Sequence, residues 1–225
     1  MALIPKNLRA RLASPPDPFL VTPRSVKRVS ALVESAGPDA TILNVGAGYI
    51  SLGERVVNID IFDSGTTDVI ASAMALPFPD NSADLVILQG VLEHVEDAAS
   101  TLTESFRVLK PGGLFYTEMP FLQPYHESPI DLRRSTKSGL ATLCEPLVEI
   151  ESGIHIGPGA TFAWLLREFW ARLLSGGRPS VYAKASTAIG WLVFPLRYAD
   201  YFLEKIPHLH TIASSCYYLG RKAQS

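Results

Sequence analysis

Short apolar runs punctuate the first two thirds of the chain: TILNV (41–45), VVNID (56–60), DVIA (68–71), DLVIL (84–88), GLFYTEM (113–119) and LVEIES (147–152). The first five are too short for most helices and read as strands. Those at 41–45 and 84–88 are almost wholly apolar, the pattern of parallel strands covered on both faces. Between the fourth and fifth, Ala98 to Leu109 puts Leu102, Phe106 and Leu109 on one helical face, with Glu104 and Arg107 elsewhere. Lys110-Pro-Gly-Gly then ends that helix and turns into the next strand. An earlier helix is predicted from Thr22, which can cap, with Pro23 at its first position and Val26, Val29 and Val33 at helical spacing before Gly37. Strands alternating with helices predict a doubly wound, mostly parallel α/β sheet with right-handed crossovers.

The last third has another pattern. Residues 157–203 are apolar and aromatic, with Phe162, Leu165, Leu166, Phe169, Trp170, Leu173 and Leu174 on one predicted helix. A second apolar stretch, 188–196, contains Trp191 and is interrupted by Pro195. Neither reaches the roughly 20 residues that span a bilayer. IASSCYYLG (212–220) supplies a closing strand. The expected organisation is a basic flexible arm at 1–21 and a single domain at 22–225, with 153–211 as a helical insertion before the last strand. A cap packed on itself is the preferred reading of that insertion. A lid, a dimer face or a peripheral membrane surface flanked by Arg167, Arg172, Arg178 and Lys184 stay open beside it.

A chain of 225 residues, 47% hydrophobic, can bury one α/β core plus an elaboration. Its formal charge of −2 is unevenly spread: residues 31–131 carry fifteen acids and three basic groups, while both flanks are basic. An acidic middle is a poor surface for nucleic acid, and no such partner is expected. Cys144 and Cys216 lie far apart without ligand spacing. His155, His208 and His210 lack suitably spaced partners and read as structural, and His94, after Glu93, as a packing or capping residue at the start of the next helix. No metal is expected. Residues 1–20 hold four prolines and no continuous apolar core, so a cytoplasmic location is the default.

Candidate chemistry begins where the first strand ends, in Asn44-Val-Gly46-Ala47-Gly48. Glycines here permit a sharp turn and let a ligand lie on bare backbone. Asp60, at the end of the second strand, is placed to accept hydrogen bonds from a ribose diol. About ten residues separate these strands, close to the minimum for a parallel crossover, and Ser51 stands where a third glycine would complete a pyrophosphate loop. A nicotinamide cofactor is therefore disfavoured against one that carries no phosphate.

The run LPFPDNSADLVILQGVLEHVEDAASTLTESFRVLKPGG (76–113), taken with the glycine loop and Asp60, resembles the small class I S-adenosylmethionine-dependent methyltransferases over roughly residues 40–150. The resemblance implies a seven-stranded sheet whose last strand is antiparallel, and S-adenosylmethionine as cofactor. By position it implies that Asn44, Gly46, Ala47 and Gly48 line the methionine part and that Asp60 holds the ribose. Ile61 would lie beside the adenine, Ser72 and Ala73 at its edge, and Gln89 would close the methionine side. Asn44 stands where the family usually has an acid, and Ser72 where an Asp is common.

Methyl transfer from a sulfonium needs an aligned acceptor and, for a hydroxyl, removal of a proton. The segment after the fifth strand holds the candidates: His126 as general base, Asp131 as its orienting partner, and Tyr125 and Arg133 as acceptor contacts. Such a His-x4-Asp-x-Arg loop is similar to those of proteins in sugar biosynthesis, which suggests O-methylation of a small hydroxylated or saccharide-type acceptor. A non-catalytic relative serving as a binding module is the competing expectation, motivated by Asn44 and Ser72.

Overall fold

A computed structural model describes residues 23–126, 129–203 and 206–224. The expected basic arm and the Thr22 cap lie outside the described residues. The chain divides into two compact units. A sheet unit comprises Pro23–Phe121, Tyr125–His155 and the chain from Ser215, and a helical unit comprises Leu122–Pro124 and Ile156–Ser214.

In the sheet unit, helix α1 (Pro23–Ser35) precedes strands β1 (Ile42–Val45), β2 (Val56–Asp60), β3 (Val69–Ile70) and β4 (Ala83–Gln89). Helix α2 (Ala98–Val108), β5 (Leu109–Pro120), α3 (Lys137–Leu143), β6 (Leu147–Ile156) and finally β7 (Ser215–Lys222) complete it. The seven strands lie in the order β3-β2-β1-β4-β5-β7-β6. β1 pairs in parallel with β2 and β4, β4 with β5, and β2 with β3, whereas β7 runs antiparallel to β5. This is the doubly wound sheet the alternation predicts. β1 is buried along its whole length, as a central strand covered on both faces must be. Leu43, Val86, Leu88 and Phe115 pack with Leu102 and Val108 of α2 and Leu140 of α3. The opposite face packs Ile42, Leu85, Ile87, Tyr116 and Tyr217 with Val29 and Leu32 of α1.

Two details depart from the periodicity. Glu93 and His94 lie in turns between β4 and α2, before the helix, whose N-cap is Asp97: its carboxylate accepts the Ser100 N–H at 3.0 Å. β5 begins at Leu109, so Pro-Gly-Gly lies within its span, and the register against β4 shifts between Ala83 and Leu85.

The helical unit contains α4 (Pro158–Ser175), α5 (Pro179–Val193), a 3-10 turn at Phe194–Ala199, α6 (Asp200–Leu203) and a second 3-10 turn at Leu209–Ile212. Asp200, fully buried, accepts the N–H groups of Gly159 (2.7 Å) and Ala160 (3.0 Å) at the start of α4, where a carboxylate meets unpaired donors and the positive end of the helix dipole. A Cβ at Gly159 would run into the Leu196 carbonyl oxygen and that carboxylate. Of the apolar side chains the sequence places on this helix, Phe162, Phe169, Leu173 and Leu174 are exposed, and the buried positions include Ala160, Ala163, Trp164 and Ala171. No described helix is long and apolar enough to cross a membrane.

Candidate functional site

The β1 and β2 strand ends build the first part of the site. Gly46 (φ 70°) and Gly48 (φ 53°) turn the chain in the left-handed region. The N–H groups of Gly46 and Ala47 both donate to the Ile59 carbonyl, at 2.8 and 3.0 Å. A Cβ on Gly46 would stand 2.5 Å from Val91 Cγ2, so the residue is glycine for space as well as conformation. No helix stands between β1 and β2, in keeping with the short crossover.

Asp60 is buried, and its carboxylate accepts three backbone N–H groups: Gly48 to Oδ2 and Ile61 to Oδ1, both 2.7 Å, and Phe62 to Oδ1 at 3.4 Å. A carboxylate has about four acceptor positions, so a fixed carboxylate with further capacity faces this loop. Around it Tyr49, Ile50, Ile61 and Phe62 are exposed, with Tyr49 and Phe62 rings 5.9 Å apart. Ser72 Oγ accepts the Met74 N–H in the turn after β3, and Ala73 is buried beneath it.

Asn44 is placed differently from the residue that the family pattern suggests. It is buried, and its amide donates to the Ile50 carbonyl (3.2 Å) and to Asn58 Oδ1 (3.0 Å). Asn58 in turn donates through its side chain and backbone to Asp68 Oδ2. The amide at 44 thus ties the glycine loop to β2, which a carboxylate without donors could not do.

At the ends of β4 and β5 a second polar group gathers. Gln89 Nε2 donates to Glu118 Oε1 at 3.2 Å, and Tyr116 donates to the same oxygen at 2.7 Å. His155 Nε2 lies 3.1 Å from Glu118 Oε2, and burial pulls the His155 pKa down. Glu118 is not among the residues the sequence singles out, although a charge inside the otherwise apolar GLFYTEM run is a signal, and His155, read as structural for want of a spaced partner, has a carboxylate beside it.

The loops after β4 and β5 bring three side chains together: one ligand-type atom from each of Glu93, His94 and His126 lies within 4.8 Å of the others. Burial pushes the Glu93 carboxyl up to about 7. The His94 and His126 rings meet edge to face with centroids 5.4 Å apart. Asp131 accepts the His126 backbone N–H at 2.8 Å and lies 3.6 Å from its Nδ1. Arg134 grips both Asp131 oxygens and holds that carboxyl down at about 2.

The structure sets Asp131 beside His126 through the backbone N–H of that residue, and the arginine beside them is Arg134, whose Nη2 lies 3.4 Å from His126 Nδ1. Arg133, expected as an acceptor contact, turns its guanidinium into the 92–96 turn and donates to the carbonyls of Leu92, Val95 and Glu96. It braces the loop that carries Glu93 and His94. Tyr125 is exposed.

Residues 43–117 match the model of a methyltransferase domain. A protein of Mycolicibacterium smegmatis named as a probable S-adenosylmethionine-dependent methyltransferase is 30% identical over 152 residues, 58% of this chain and 59% of that protein. A ubiquinone/menaquinone biosynthesis C-methyltransferase of Xanthomonas oryzae is 40% identical over 85 residues, 36% of this chain and 33% of its own. The chain thus spans less than two thirds of the length of either. Among solved structures, a 1,6-didemethyltoxoflavin N1-methyltransferase from Burkholderia thailandensis superposes with a TM-score of 0.55 at 15% identity, covering 88% of this chain and 78% of that one.

Proposed function

We propose that the chain is a class I S-adenosylmethionine-dependent methyltransferase, an enzyme transferring the methyl group of S-adenosylmethionine to a small hydroxylated or saccharide-type acceptor. The observation that carries the cofactor half is Asp60, buried and aimed by three backbone N–H groups beside a glycine loop that Val91 keeps free of side chains. In this reading the ribose hydroxyls donate to Asp60, and the adenine lies against Ile61 near Ser72 and Ala73. The methionine part follows the backbone of Gly46, Ala47 and Gly48 toward Gln89.

Glu93, His94 and His126 follow the carboxyl ends of β4 and β5, where open α/β sheets bind ligands. They are the groups assigned to the acceptor oxygen and its proton, with Asp131 and Arg134 holding His126 in place. The quinone C-methyltransferases share only about a third of the chain, too little to transfer their acceptor. The exposed apolar side chains of α4 beside Arg172 support a peripheral contact with anionic lipid as part of the same reading.

Calorimetry with S-adenosylhomocysteine tests the cofactor half. Wild-type protein is expected to bind, and Asp60→Ala to bind about tenfold or more weakly through loss of hydrogen bonds to a charged group. Wild-type protein with no heat of binding at high micromolar ligand would remove the proposal.

A further inference from the structure

We propose that Glu93, His94 and His126 form a binding site for one divalent transition-metal ion, which holds the acceptor oxygen for methyl transfer; the ion's role in transfer rests on the methyltransferase reading above. Two imidazoles and one carboxylate are a ligand set of catalytic zinc and of non-haem iron sites, which keep positions open for water or substrate. Here the three ligand-type atoms lie within 4.8 Å of one another. Ligation at about 2.0–2.2 Å from a common ion would require them to draw together by rotation of the side chains.

Each member carries a separate indication. The Glu93 side chain is 4% exposed, and its Oε2 is buried without a hydrogen-bond partner. A buried carboxylate oxygen left in that state is costly, and a cation would satisfy it. His94 Nδ1 is hydrogen-bonded to the Ile130 carbonyl, which makes Nδ1 the protonated nitrogen and turns the lone pair of Nε2 toward Glu93 Oε1, 3.8 Å away. Metal-bound histidines commonly donate their second nitrogen to a carbonyl or carboxylate in this way. His126 is held by Asp131 through its backbone N–H, and its Nδ1 lies 3.6 Å from that carboxylate and 3.4 Å from Arg134 Nη2. The positive charge of Arg134 is matched by Asp131, both of whose oxygens it holds.

With an ion bound, the acceptor hydroxyl would occupy an open position, where the ion lowers its pKa. The O–H bond breaks, the proton passes to water, and the oxygen lone pair forms the new bond to the methyl carbon. The carbon–sulfur pair returns to sulfur, leaving S-adenosylhomocysteine, the methyl ether and one proton. His126 is then a ligand, in place of the general base expected from sequence.

The test is to strip the full chain with a chelator and titrate it with cobalt(II), reading stoichiometry by equilibrium dialysis and ligation by visible d–d absorption. One ion per chain is expected, with binding weakened at least about tenfold in Glu93→Gln, His94→Ala and His126→Ala, and unchanged in His208→Ala. Where an alanine variant fails to fold, hyperfine-shifted imidazole N–H resonances of the wild-type cobalt protein decide, and two are expected. No bound cobalt, binding indifferent to all three substitutions, or no shifted imidazole resonance overturns the site. Loss of S-adenosylhomocysteine binding with cobalt retained would count against the methyltransferase reading while leaving the metal site standing.

Discussion

Asn44 shows how one atom changes what a position can do. Against the family's usual acid it loses a charge, but it gains two donors, and both are spent on Ile50 and Asn58. An aspartate there would set a carboxylate against a carbonyl and an amide oxygen inside the core. Turning the Asn58 amide over to help would break its own bond to Asp68. Asn44→Asp is therefore expected to lower the free energy of unfolding by about 1–3 kcal/mol, read as a lower urea midpoint with unchanged slope. A midpoint equal to that of wild type would show that the amide is no lock. The same scale separates neighbours in the His126 loop. Arg133 and Arg134 are chemically identical, yet one closes a turn and the other holds Asp131.

Among the elements, α2 explains why the LPF and RVLKPGG runs occur together. Arg107 donates to the carbonyls of Leu76 and Phe78 and to Asp80, and it is paired with Glu104, whose other oxygen accepts the Leu76 N–H. One helix face thus fastens the whole loop between β3 and β4. Part of this network is solvent-exposed, which screens the ion pairs, but the bonds to carbonyls do not depend on pairing. Arg107→Ala is expected to cost about 2 kcal/mol, seen as a fall in melting temperature of roughly 4–8 °C. A shift below one degree would reduce the network to a surface contact. The β1–β2 crossover is the contrasting case. Its ten residues leave no room for a helix, and the loop is held instead by backbone donation to Ile59 and by Asn44.

For the molecule as a whole, the two units have different surfaces. The sheet unit packs two layers of core and exposes Tyr49, Ile61 and Phe62 around the candidate cofactor loop, while the helical unit leaves Phe169, Leu173, Leu174 and Leu192 at 60–78% exposure. Large exposed apolar side chains cost solubility unless a surface covers them. On the lipid reading, the protein should sediment with vesicles containing phosphatidylserine at low salt, and Phe169→Ser with Leu173→Ser should leave it in the supernatant. Equal sedimentation of the wild type and the double variant would reject this face as the contact.

Much of the parallel part of the sheet is legible in local sequence. Strand identity follows from local apolar runs, the parallel order from the alternation of strands and helices, and Asp60 and the glycine turn from their places at strand ends. All of these depend on residues close along the chain. Only the tertiary structure decided what the polar residues do. Glu93 and His94 meet His126 across some thirty residues because β4 and β5 are neighbours in the sheet and their loops leave from the same edge. Spacing along the chain carries no trace of that meeting, which is why no metal site was expected. His155 of β6 reaches Glu118 of β5 although β7 lies between those strands in the sheet order, and Asp200 caps a helix that begins forty-two residues earlier. Periodicity reports which face of an element is apolar; which side chains face one another is set by how the elements pack.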